Sequence, residues 1–178
     1  MRLDIDCGYG QYLLSVPPLK VLTYPNNILK NKSVDVEFSD EIKEFCNRLA
    51  DTMYSSGGIG IAAPQVGRLV RIFVADDAGT PRFFINPKVS ITSNDVQMES
   101  EGCLSLPGVF AKVERPRRLS VTALNGEGVE FTCEPDGRMA TVVSHETDHL
   151  DGVLFADRLS PLHRQMLLKK YDKRIRLA

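Results

Sequence analysis

Apolar positions recur at helical spacing in one early stretch, where Ile42, Phe45, Cys46, Leu49 and Met53 mark a single face over about four turns. Ser39 or Asp40 can cap such a helix, Asp40 and Glu41 suit its first turn, and Ser55 to Gly58 stops it. Before it, Leu19 to Leu22 is a short apolar run closed by the turn signal Tyr24-Pro25-Asn26-Asn27. After it, extended segments are predicted at Leu69 to Ala75, Arg82 to Ile85 and Val89 to Ile91, the first two separated by a turn from Asp77 to Gly79. Ser120 to Leu124 and Val129 to Thr132 predict a hairpin around Asn125-Gly126. Helices are predicted from Arg138 to Leu150, ended by Asp151-Gly152, and from Pro161 to Arg174. The order describes one α+β domain, with strands mostly in the middle and helices toward both ends.

With 178 residues, 43% hydrophobic and 25% charged, the chain can bury a core without staples, and coiled coil, collagen and wholesale disorder are excluded. No run of 18 apolar residues suggests a membrane span. The opening residues carry two aspartates and no apolar core, which argues against a signal peptide and leads us to expect a reducing cytoplasm. Cys7, Cys46, Cys103 and Cys133 form no CxxC pair, and Cys46 sits in the apolar series as a small buried hydrophobe. The net charge of -1 makes no global case for an anionic partner. Its distribution is uneven. Residues 161–178 hold Arg164, Lys169, Lys170, Lys173, Arg174 and Arg176 against the lone acid Asp172, which is either a solvated helix face or a docking surface for something anionic.

The chemistry concentrates in Ser144-His145-Glu146-Thr147-Asp148-His149-Leu150, an HExxH pattern. Four residues are a little over one helical turn, so His145 and His149 project from one face toward a common metal, with Glu146 beside them to handle the proton of a water. Metal-assisted hydrolysis needs a further protein ligand and an open position. Asp157 is one candidate for that ligand, and Cys103, framed by glycines and a proline that would present it from a rigid loop, is the other. His163 has no comparable neighbours and reads as a surface side chain. The run Gly57-Gly58-Ile59-Gly60-Ile61-Ala62-Ala63-Pro64-Gln65 follows a helix instead of a strand, which argues against a dinucleotide loop. Its small residues permit close backbone approach to a ligand, with the Gln65 amide beside them.

Taken together, Gly58-to-Gln65 (GxGxAAxQ), Glu101-to-Ser105 (EGCLS) and His145-to-Leu150 (HExxDHL), in that order, resemble the peptide deformylase family over about residues 19–170. The resemblance implies a compact single α+β domain with mixed/antiparallel β-sheets around a central HExxH helix, plus N-terminal and C-terminal helices. Residues 1–18 would be an N-terminal arm and residues 19–178 the catalytic domain, including the basic C-terminal helix.

It further implies hydrolytic removal of the N-formyl group from N-formylmethionyl nascent peptides, releasing formate. Cys103, His145 and His149 would hold one Fe2+ per chain, with Zn2+, Ni2+ or Co2+ able to substitute and water completing the tetrahedron. Glu146 would be the general base, and Gln65 and the Leu104 backbone N–H would stabilise the oxyanion. Gly58 and Gly60 would approach the substrate backbone, Val142 would line the methionine pocket, and Glu101 would support the site. The C-terminal helix, residues 161–178, would make a transient ribosome contact. Two positions depart from the family pattern: Ser144 stands where glutamine is common, and Phe110 where some bacterial relatives carry a substrate-contacting arginine. The rival readings are a peptidase of another HExxH class, with internal peptide-bond cleavage and another third ligand, and a zinc-stabilised interaction domain closed to water.

Overall fold

A computed structural model of the chain describes residues 17–177. The arm expected for residues 1–18 therefore lies outside the described residues, apart from Pro17 and Pro18. The order is helix α1 (Asp40–Ser55), strands β1 (Gly60–Ala62), β2 (Ile72–Asp77), β3 (Thr80–Ile91), β4 (Val96–Cys103), β5 (Leu106–Pro116), β6 (Leu119–Leu124) and β7 (Glu130–Cys133), then helices α2 (Gly137–Leu150) and α3 (Pro161–Ile175). Five strands form an antiparallel sheet in the order β1-β2-β3-β6-β7, and β4-β5 form a separate antiparallel ribbon. The α+β class and the terminal placement of the helices agree with the sequence reading.

Both faces of the large sheet are covered, which explains the unbroken apolar run of β2. Side chains alternate across a strand. Ile72 and Val74 pack with Ile42, Phe45, Leu49 and Met53 of α1, while Phe73 and Ala75 pack with Ala140, Val143 and Leu150 of α2. Full burial of side chains such as Leu49 and Met53 contributes roughly 1.5–3 kcal/mol each. The Ser39 hydroxyl caps α1 by accepting from the Ile42 N–H at 3.3 Å. Cys46 is buried as expected, and burial pushes its thiol up to about 12. A third cluster joins Leu106, Val109 and Val113 of β5 to Phe155, Leu167 and Tyr171, tying the ribbon to α3. Helix α2 lies between the large sheet and the ribbon, so its HExxH segment is held from both sides.

Two local expectations need correction, and two strands went unpredicted. The two segments at Arg82 to Ile85 and Val89 to Ile91 are one strand, β3, with a register shift between Ile85 and Lys88. Asn86 sits at that shift with φ +52°, and its side-chain amide bonds both ways with the Val36 backbone. Cys103, expected on a rigid loop, instead ends a strand and is followed by the two-residue Leu104-Ser105 connection. The strands β4 and β5 escaped the periodicity reading, and along β4 the polarity is inverted. Along β4 the outward positions include Val96 and Met98, while Gln97 and Glu101 face inward and bond α2: Gln97 reaches the Gly137 carbonyl at 2.6 Å, and Glu101 reaches His145.

Candidate metal centre

Cys103, His145 and His149 converge from two elements, the end of β4 and one face of α2. Their donor atoms all lie within 4.8 Å of one another, which brings all three within reach of one cation. Cys103 Sγ is 3.2 Å from His149 Nε2. Glu101 Oε2 lies 2.7 Å from His145 Nδ1, so that nitrogen donates to the carboxylate and Nε2 is left to face the cluster. Burial, with the charges of His145 and Arg115, holds His149 well below the usual imidazole range and therefore neutral, the form a metal requires. Burial alone would also lower His145, but its contacts with Cys103 and Glu101 outweigh that and raise it. One thiolate and two imidazoles form a donor set suited to zinc or to first-row metals such as ferrous iron. Asp157, the rival third ligand, is occupied elsewhere: it bonds Lys30, Arg164 at 3.1 Å and the Leu154 N–H at 2.9 Å.

The cluster opens into a cleft of about 680 Å³ whose lining includes Gly58, Gly60, Gln65, Cys103, Leu104, Val142 and Glu146. All of these sequence-predicted residues thus meet at one place. Glu146 is buried, and its Oε2 has no hydrogen-bond partner among the described residues. Burial pushes this carboxyl up to about 7, partly offset by His145. A Cβ on Gly60 would collide with the Glu146 carboxylate and come within 3.0 Å of Val142 Cγ1, which explains why a glycine stands there. Gln65 is oriented by its neighbours: Oε1 accepts from the Ala62 N–H at 2.8 Å, and Nε2 points to Ser105 Oγ at 3.2 Å and Cys103 Sγ at 3.5 Å. Ser144 folds its hydroxyl back onto the Ala140 carbonyl at 2.8 Å, and His163 is an exposed side chain beside Ser160.

Sequence reasoning missed a buried ionic network behind the ligands. Arg115 donates from Nε and Nη2 to the two oxygens of Glu101, at 2.7 and 3.0 Å, and from Nη1 to Asp148 Oδ2 at 2.7 Å. Arg158 reaches the same Asp148 carboxylate at 3.0 Å. Burial works to raise Glu101, but its bonds to His145 and Arg115 outweigh it and hold the carboxyl below its usual range. Asp148 belongs to the HExxH segment and was visible; Arg115 carries no motif, and only its burial reveals it.

The α+β scaffold, the Cys-His-His cluster and the adjoining carboxyl in an open cleft define a metal-dependent hydrolase. A family profile described as polypeptide deformylase matches residues 18–165. A peptide deformylase of Acinetobacter baumannii is 42% identical over 162 residues, spanning 89% of this chain and 92% of the relative. The crystal structure of a peptide deformylase from Synechococcus elongatus in complex with actinonin superimposes with a TM-score of 0.83 at 38% identity, covering 89% of this chain and 88% of that one. One from Ehrlichia chaffeensis gives 0.85 at 33%, covering 90% and 98%. The chain belongs to the peptide deformylase family, metallo-hydrolases that remove the N-formyl group from nascent peptides.

Proposed function

We propose the following division of labour for N-formyl hydrolysis by this chain. Cys103, His145 and His149 hold one Fe2+, which Zn2+, Ni2+ or Co2+ can replace. The observation that carries the reading is the convergence of these three donors beside Glu146, which lines the same open cleft and whose Oε2 has no hydrogen-bond partner among the described residues. A divalent metal bound there supplies Lewis acidity toward water and the formyl oxygen. Glu146 accepts the proton of the attacking water and then delivers it to the leaving amine nitrogen. Gln65 Nε2 and the Leu104 backbone N–H donate to the formyl oxygen as it gains negative charge. The Ala62 N–H fixes the Gln65 amide so that little reorganisation is needed. Gly58 and Gly60 let the substrate backbone approach, and Val142 forms part of the wall that receives the methionine side chain. Formate and a free peptide amine are the products.

The substrates are N-formylmethionyl nascent peptides and the compartment is the cytoplasm. No helix among the described residues is long and apolar enough to cross a membrane. Residues 19–178 act as one catalytic domain whose α3 makes a transient ribosome contact. Lys169, Lys170, Lys173, Arg174 and Arg176 are all exposed, while only Leu167 and Tyr171 of α3 are buried, which leaves the basic face free. Lys169→Glu with Lys173→Glu is expected to abolish salt-sensitive cosedimentation with ribosomes; undiminished cosedimentation would remove this contact from the account.

The ligand assignment is tested by Cys103→Ser, loaded anaerobically with ferrous iron. We expect metal affinity to fall by more than the roughly 10–100-fold that loss of a supporting contact costs, and formate release from formyl-Met-Ala-Ser to fall with it. Full metal content and activity in this variant would overturn the assignment.

A further inference from the structure

Two large apolar side chains stand exposed in the lining of the cleft, Phe110 at 64% and Ile59 at 42%. Their elements differ: Ile59 precedes β1, and Phe110 lies on β5. The Phe110 ring lies against Gly102, so closely that a Cβ there would come within 2.5 and 2.7 Å of two ring carbons. Gly102 adjoins Cys103, and both the ring and Cys103 line the same cleft, the ring largely open to solvent. Leu104 and Pro107 line the same part of the chain, and the charged groups Glu99 and Arg138 also border the cleft.

We propose that Phe110, together with Ile59, forms a subsite that selects a large apolar side chain downstream of the formylmethionine. The inference rests on the deformylase reading and adds the peptide preference to it. An extended peptide whose methionine enters the pocket walled by Val142 sends successive side chains to alternate sides. One of the following residues therefore passes the mouth of the cleft, where an aromatic or branched side chain covers apolar surface that is otherwise wet. A cationic or anionic side chain at the same place would lose hydration against the ring edge without gaining an ion partner from Phe110 or Ile59.

The test is kcat/KM for two peptide series, formyl-Met-X-Ala and formyl-Met-Ala-X, with X as Phe, Leu, Ala, Lys or Glu, in metal-loaded wild type, Phe110→Ala and Phe110→Leu. In at least one series wild type is expected to favour Phe over Glu by about fivefold, the scale of one aromatic contact, through KM more than kcat. Phe110→Ala is expected to collapse that ratio and Phe110→Leu to restore part of it. A flat wild-type profile, or a ratio unchanged by Phe110→Ala, would overturn the subsite while formate release from formyl-Met-Ala-Ala kept the deformylase reading intact. No formate from that reference peptide would overturn the deformylase reading and the subsite with it.

Discussion

Glu146→Gln, compared with wild type at equal metal occupancy, is expected to lower kcat for formate release by about 10²–10⁴-fold, the range for loss of a positioned general acid–base. The amide has the shape of the carboxylate, so it still fits against Gly60 and Val142, and neither histidine nor Cys103 is touched. What disappears is the group proposed to take a proton from water and return it to the amine. Glu146 lines the cleft, and its buried Oε2 has no hydrogen-bond partner among the described residues. The prediction therefore separates proton handling from metal holding: metal content stays at one per chain while turnover collapses. A variant that keeps its metal and turns over within tenfold of wild type would mean another group carries the proton.

Arg115→Leu is expected to produce the largest stability loss of any single change near the site. The substitution leaves the Glu101 and Asp148 carboxylates, both nearly inaccessible, facing one another's charge without the guanidinium that joins them. Removing one member of a buried ion pair costs about 3–5 kcal/mol. For a domain of this size that corresponds to a drop in Tm of roughly 6–20 °C. Function should suffer too. Glu101 orients the His145 ring through its 2.7 Å contact, and disturbing such a partner costs about 10–100-fold in metal affinity. Arg115→Lys keeps the charge but not the paired geometry toward Glu101, so it should fall between wild type and Arg115→Leu in both respects. Thermal unfolding of the metal-free proteins and competitive metal titration check the two effects separately. An unchanged Tm in Arg115→Leu would contradict the role assigned to the network.

How much of this was legible in the sequence depended on whether a residue's partner was local. The HExxH pair declares itself because both histidines lie one turn apart on a helix with clear end signals. Helix α1 did so because a single apolar face repeats over its length. The same reasoning placed β2, β6 and β7 to within a residue or three. It could not place Cys103 beside the histidines, since 42 residues separate it from His145 and only the packing of the β4-β5 ribbon against α2 brings them together; resemblance supplied what spacing could not. It also passed over β4 and β5; along β4 the inward Gln97 and Glu101 are polar because they serve the site instead of a core. Arg115 is the clearest case. A single arginine in a strand ordinarily reads as solvent-facing, and its burial between Glu101 and Asp148 becomes visible only once the ribbon is laid against the helix.

The most direct test of the central claim is the product balance of the wild-type protein. Purified without oxygen, loaded with ferrous iron and given formyl-Met-Ala-Ser, it should release formate and free Met-Ala-Ser in equal amounts, with internal peptide bonds left intact. Cleavage of an internal peptide bond, or no formate from the fully metallated protein, would contradict the account.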